Sequence, residues 1–170
     1  MNSNLDKLSK FANWYLTPGK VNKVYTPFEK PLLFIEGVCG IVLYRSKPFQ
    51  VELFICQPNL EIPEHTHPDV DSYELFLYGM KFTHSGKTII SEEQALKEKN
   101  GMPLNAYKTI RVKPNDSHGG KSSKNGGAFI SIQHWLNDVE PSHVSSNWKG
   151  ASMGKQHSQQ ANLILENLNK

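Results

Sequence analysis

Cysteine is scarce: only Cys39 and Cys56 occur in 170 residues. Both lie inside apolar runs, Gly37-Val38-Cys39-Gly40-Ile41-Val42 and Phe54-Ile55-Cys56, where a reduced thiol behaves as a small hydrophobe. No disulfide is expected. An excess of charge of one sign is also missing, since 19 Lys and Arg stand against 16 Asp and Glu, a net +3. The basic residues form no run or stripe, and nucleic acid is not an expected partner. No apolar stretch approaches the ~18 residues that a membrane span needs. The opening Met1-Asn2-Ser3-Asn4-Leu5-Asp6-Lys7 lacks the charged-then-apolar order of a secretory signal, so a cytoplasmic protein without membrane contact is expected. What the chain does have is 38% hydrophobic and 10% aromatic residues in a length that suits one domain over 1–170.

Period and punctuation divide this domain in three. Leu5, Leu8, Phe11, Ala12 and Tyr15 recur at helical spacing before Thr17-Pro18-Gly19, which predicts an N-terminal helix over about 4–16. From about 30 to 137 the texture changes to short runs rich in Val, Ile, Phe, Tyr and Leu, broken by Gly, Pro, Asn or Ser. Strands are expected over 32–36, 39–44, 49–57, 73–82, 87–90, 109–112 and 128–136, the pattern of an all-β sandwich or barrel. Ser91-Glu92-Glu93-Gln94, with its capping-box spacing, opens a short helix that Asn100-Gly101 closes. A connector and a second amphipathic helix, with Ala161, Ile164, Leu165 and Leu168 on one face, are expected over about 138–170. Exposed strand edges need cover, from these helices or from a second copy of the chain in a homodimer.

Two segments carry chemistry. In His65-Thr66-His67 an extended backbone aims both imidazoles to one side, which suits metal ligation. Downstream, Pro114-Asn115-Asp116-Ser117-His118 places a third histidine just after a strand and a proline turn. Gly119-Gly120-Lys121-Ser122-Ser123 invites comparison with a phosphate-binding loop but lacks that loop's spacing.

The run from His65 to Gly79 and the second run from Pro114 to His118 resemble the two motifs of the cupin family, across the middle of the chain from Phe49 to Trp135. The resemblance implies a jelly-roll β-barrel holding one divalent metal ion (Fe, Mn, Zn or Ni) and a small ligand; the short helices expected at both termini lie outside it. It implies His65, His67 and His118 as metal ligands. The sequence departs from the pattern where many cupins place a metal-binding Glu: Ser72 stands there. Asp71 and Glu74 are the nearest carboxylates, and strand alternation puts Glu74, not Asp71, on the face of Ser72, Phe76 and Tyr78. Glu74 stands about 6 to 7 Å further along the strand at ~3.3 Å per residue, too far for a bond of about 2.0–2.2 Å unless a bulge intervenes. It is therefore a fourth ligand or a catalytic acid–base group, and the metal is held by three or four residues.

Phe76 and Tyr78, if they share the inward face of Glu74, belong to the ligand pocket. His134, on the face of Ile130 and Ile132, is a core histidine or a pocket group, and Gln133 shares the opposite face with Ser131 and Phe129. The leading expectation is a metal-dependent enzyme on a small polar molecule, with oxygen-dependent oxidation ahead of isomerase or lyase chemistry because three imidazoles leave open coordination positions. The alternative is a non-catalytic barrel that binds a small ligand or serves as an interaction scaffold.

Overall fold

The structure, a computed structural model, describes residues 6–17, 32–35, 37–90 and 109–142. The short helix expected over 91–101 and the C-terminal helix lie outside the described residues. The N-terminal helix is present as α1, Lys7–Leu16, and the Asp6 side chain caps it by accepting from the Ser9 N–H at 2.9 Å.

Among the described residues ten antiparallel strands follow: β1 (Leu32–Ile35), β2 (Val38–Ser46), β3 (Phe49–Cys56), β4 (Glu61–His65), β5 (Val70–Tyr78), β6 (Met80–His84), β7 (Lys87–Ile90), β8 (Thr109–Val112), β9 (His118–Ser122) and β10 (Gly127–Trp135). They form a six-stranded sheet in the order β1-β2-β3-β10-β5-β8 and a four-stranded sheet in the order β4-β9-β6-β7. The expected architecture is thus present with one correction. The two sheets do not close into a barrel, because no ladder joins one to the other among the described residues. The run read as one strand over 73–82 is the place where the chain changes sheets: it breaks at Gly79, whose φ of +61° ends β5 before β6 begins.

The sheets share one interior, where Phe54, Phe76 and Phe129 of the large sheet meet Ile62, Met80 and Phe82 of the small one. The outer face of the large sheet is covered by α1, whose Leu8, Phe11, Ala12 and Tyr15 pack on Val51 and Ile132. A helix of ten residues is marginal by itself, so this docking holds it. Phe11 stacks on Phe49 with 4.2 Å between ring centroids. Arg111 ties helix to sheet by donating to Asp6 Oδ2 and Asp71 Oδ2, both at 2.6 Å. Cys39 and Cys56 are free, buried thiols, and burial pushes Cys39 up to about 11 and Cys56 to about 12. No helix among the described residues is long and apolar enough to cross a membrane.

Strands β4 and β9 have no counterpart in the expected set. The sequence of β9, His118-Gly119-Gly120-Lys121-Ser122, reads as a loop by composition. Its glycine is needed for close approach, since a Cβ at Gly119 would lie 2.7 Å from the Ile62 carbonyl oxygen and 3.0 Å from the Glu64 nitrogen of β4.

Gly79 combines positive φ with a site where a Cβ would run into the carbonyl of Gly126. Gly79→Ala should cost on the order of 3 kcal/mol in urea unfolding, strain and clash together. Gly86→Ala, also at positive φ but with nothing within 4 Å, should cost only about 1 kcal/mol. Equal costs at the two positions would show that the sheet-changing turn is not tightly packed.

Candidate metal centre and cavity

Strand pairing converges the three histidines. His65 ends β4 directly opposite His118, the first residue of β9, and His67 follows in the turn toward β5. The Asn115 N–H donates to the His67 carbonyl at 2.9 Å, which ties the proline turn of the second motif to the first. One ring nitrogen from each of His65, His67 and His118 lies within 4.8 Å of the others. Ring centroids are 4.3 Å apart for His65 and His118, 4.8 Å for His65 and His67 and 5.2 Å for His67 and His118.

The hydrogen bonds set the tautomers. His65 Nδ1 lies 2.7 Å from the Pro63 carbonyl and His118 Nδ1 lies 2.9 Å from that of Asp116. A carbonyl only accepts, so each Nδ1 carries the proton and each Nε2 keeps its lone pair, the arrangement found in metal-ligating imidazoles. Burial lowers all three basicities. His67 falls to about 3, through burial and then the nearby His65 and His118, and His118 falls to about 4, through burial and then His65, against the opposing bond to the Asp116 carbonyl. Three neutral imidazoles within reach of one another fit a divalent ion of the zinc, iron or nickel kind. Around them, Asp116 Oδ2 accepts from the Lys113 N–H at 3.0 Å and lies 3.1 Å from His84 Nε2, so His84 braces the turn that carries His118.

The histidines line one end of a cavity of about 440 Å³, part of it open to solvent. Its walls are apolar, with Phe54 and Phe129 from the large sheet and Ile62 and Phe82 from the small one. Ser72, Glu74 and Ser131 are its other polar residues. Glu74 is 5% exposed. Its Oε1 accepts from Ser72 Oγ at 2.6 Å and from Ser131 Oγ at 2.9 Å, while the buried Oε2 has no hydrogen-bond partner among the described residues. Burial raises the Glu74 carboxyl to about 7, the two hydroxyls oppose that rise, and the charge of Glu52 adds to it.

The structure brings together His65, His67 and His118, and sets Glu74 in the same cavity but outside the group of mutually close ligand atoms. No bulge carries it closer. β5 pairs with β10 without a register shift from Val70 to Leu75, and the irregularity comes later, between Phe76 and Tyr78. That shift turns the Tyr78 side chain outward, where it is 38% exposed. Phe76 stays inside, packed on Phe82 with 5.1 Å between centroids, behind the cavity wall. His134 pairs opposite Phe49 and stacks on it at 5.0 Å, on the α1 side of the sheet and away from the cavity. Asp71, on the same outer face, is engaged by Arg111. Missing from the sequence reading are Ser131 as a partner of Glu74, and Gln50 and Glu52 as buried residues. Parity with Phe54 along β3 and with Phe129 along β10 was the available signal.

No protein-family profile matches this sequence, and no curated protein does. Solved structures do. An RmlC-like cupin from Shewanella frigidimarina is 13% identical, covering 65% of this chain and 87% of its own with a TM-score of 0.50. KdgF from a Halomonas species is 10% identical, with 65% and 89% covered and a TM-score of 0.49. An uncharacterized protein with a double-stranded β-helix domain from Klebsiella pneumoniae is 16% identical, with 81% and 94% covered and a TM-score of 0.45. At such identities the likeness concerns the fold, and the fold is that of the cupins.

The buried acid makes stability depend on pH. Glu74 holds its proton more tightly folded, at about 7, than its ordinary value of 4.5. Its contribution is therefore complete below pH 4.5 and is lost as pH rises through 7. In metal-free protein, the stability of the wild type relative to Glu74→Gln should fall by on the order of 3 kcal/mol across that interval and then level off. A flat difference between the two urea midpoints would mean that Glu74 is ionised throughout.

Proposed function

We propose that this protein is a metal-dependent enzyme acting on a small polar molecule, with one divalent ion held by His65, His67 and His118 and with Glu74 as the group that moves a proton. The observation that carries this reading is a carboxyl poised near 7 in an apolar cavity, with one oxygen unpartnered and three converging imidazoles on the same cavity. A bound divalent ion would supply Lewis acidity and open coordination positions.

The chain's own residues do the rest. Ser72 and Ser131 fix the rotamer of Glu74 through Oε1, which leaves Oε2 to donate or accept a proton on the cavity side. Phe54, Phe82 and Phe129 exclude water from the apolar part of a substrate and strengthen each polar contact within the cavity. A general acid–base group tuned to neutral pH supports proton-transfer chemistry, isomerisation or elimination, ahead of the oxygen-dependent oxidation expected from the ligand count alone. One observation favours a second reading, a non-catalytic small-ligand protein: no carboxylate joins the histidine group among the described residues.

Elemental analysis of untagged protein purified without chelator tests the metal site. About one equivalent of a first-row metal should accompany the wild type and Glu74→Gln, and should be lost in His118→Ala and in the His65→Ala/His67→Ala double variant. Retention of metal in His118→Ala would show that the two motifs do not share an ion. Solvent deuterium incorporation into a panel of small hydroxy acids, keto acids and sugars, followed by NMR, tests the chemistry. Glu74→Gln should slow exchange by about 10²–10⁴-fold without loss of metal. A loaded protein that binds panel members without exchange would select the non-catalytic reading.

A further inference from the structure

Behind the cavity floor lies a second buried polar layer that the chemistry above does not use. Glu52 of β3, fully buried, stands opposite Ser131 of β10, and Ser131 stands opposite Glu74 of β5. The two carboxyls face the same interior in one row across three strands, on either side of a single serine. Their Cα atoms are about 10 Å apart at ~4.8 Å per strand, close enough for long side chains to sense each other's charge.

The partners of Glu52 have a fixed polarity. Arg45 Nε donates to Gln50 Oε1 at 2.6 Å, and Trp135 Nε1 donates to Gln133 Oε1 at 3.0 Å. Neither guanidinium nor indole can accept, so both amide groups are locked with their oxygens toward these donors. Gln50 Nε2 donates to Gln133 Oε1 at 3.1 Å, and the two NH₂ groups also approach Glu52 Oε2, from Gln50 at 3.4 Å and from Gln133 at 3.5 Å, both long for a hydrogen bond. Gln50 is further held by donating to the Ser142 carbonyl at 2.7 Å. These donor-bearing nitrogens at Glu52 Oε2 make an environment that favours a carboxylate over a protonated acid. The Glu74 Oε2, with no donor aimed at it, suits a protonated acid.

We propose that Glu52 is the positioning residue of the acid–base site: a buried carboxylate, oriented by the Gln50–Gln133 pair, that keeps the interior's proton on Glu74. Two carboxylates in one dry interior cannot both ionise cheaply, and the donors decide which one does. Among the described residues, the other titratable or charged groups facing Glu74 are His65, His67 and His118, neutral at pH 7, with Arg45 beyond Gln50. The strands that flank it, β8 and β10, place Ile110 and Ser131 beside it. The direction of the Glu52 charge effect on Glu74 agrees, although burial is the larger cause.

This inference rests on Glu74 being the acid of the cavity, and the test separates the two. In metal-free protein, the infrared C=O stretch of buried protonated carboxyls is followed against pH, with Glu74→Gln assigning the Glu74 signal. The wild type should titrate near neutrality. Glu52→Gln should lower the proton affinity of Glu74 by threefold to tenfold, while Glu52→Asp, which keeps the charge, should stay nearer the wild type. A merely structural role for Glu52 would lower the melting temperature without moving the midpoint, and that result overturns the inference. So does a protonated buried carboxyl that persists at pH 7 in Glu74→Gln, a measurement that stands even where Glu52→Gln does not fold. A wild type with no titration near neutrality would instead remove Glu74 as the acid.

Discussion

The pairing of β4 with β9 is the contact on which the site depends. It sets His65 opposite His118 and brings two motifs some fifty residues apart to one point. It is possible only because Gly119 has no side chain to separate the strands. The proline turn before β9 then closes on His67 through a single backbone hydrogen bond from Asn115. Every histidine in the cluster is therefore placed by main-chain geometry, and the side chains add only tautomer and tilt.

Much of this was legible from residue order. The His65-Thr66-His67 and Pro114 to His118 motifs pointed to the histidine cluster, and the short β-rich runs to the strand content. Strand β9 was not legible, because glycine and lysine in a five-residue run carry no β signal, and its existence depends on partners on both sides. The bulge that would have drawn Glu74 to the three histidines was open from sequence. The shift occurs instead past Phe76, where it flips Tyr78 and leaves Glu74 where ideal alternation puts it.

The large sheet also inverts the usual expectation for polarity. Along β10, Ile130 and Ile132 lie on the outer face and Ser131 and Gln133 on the inner one. Alternation alone gave the two sets correctly, but it could not say which set faced the cavity. α1 is the reason: with a helix covering the outside, the apolar set is buried there, and the interior is left to hold Ser131, Gln133, Gln50 and Glu52. His134 follows its apolar neighbours outward and meets Phe49.

Asp6 serves two masters. One carboxylate oxygen caps the first turn of α1 and the other receives Arg111, which in turn grips Asp71 on the strand that bears Glu74. Helix formation and helix docking thus draw on the same side chain, and unwinding the first turn also slackens the hold on the outer face of β5. A perturbation at the amino end of α1 is thus connected, through Arg111, to the strand that carries the cavity's acid.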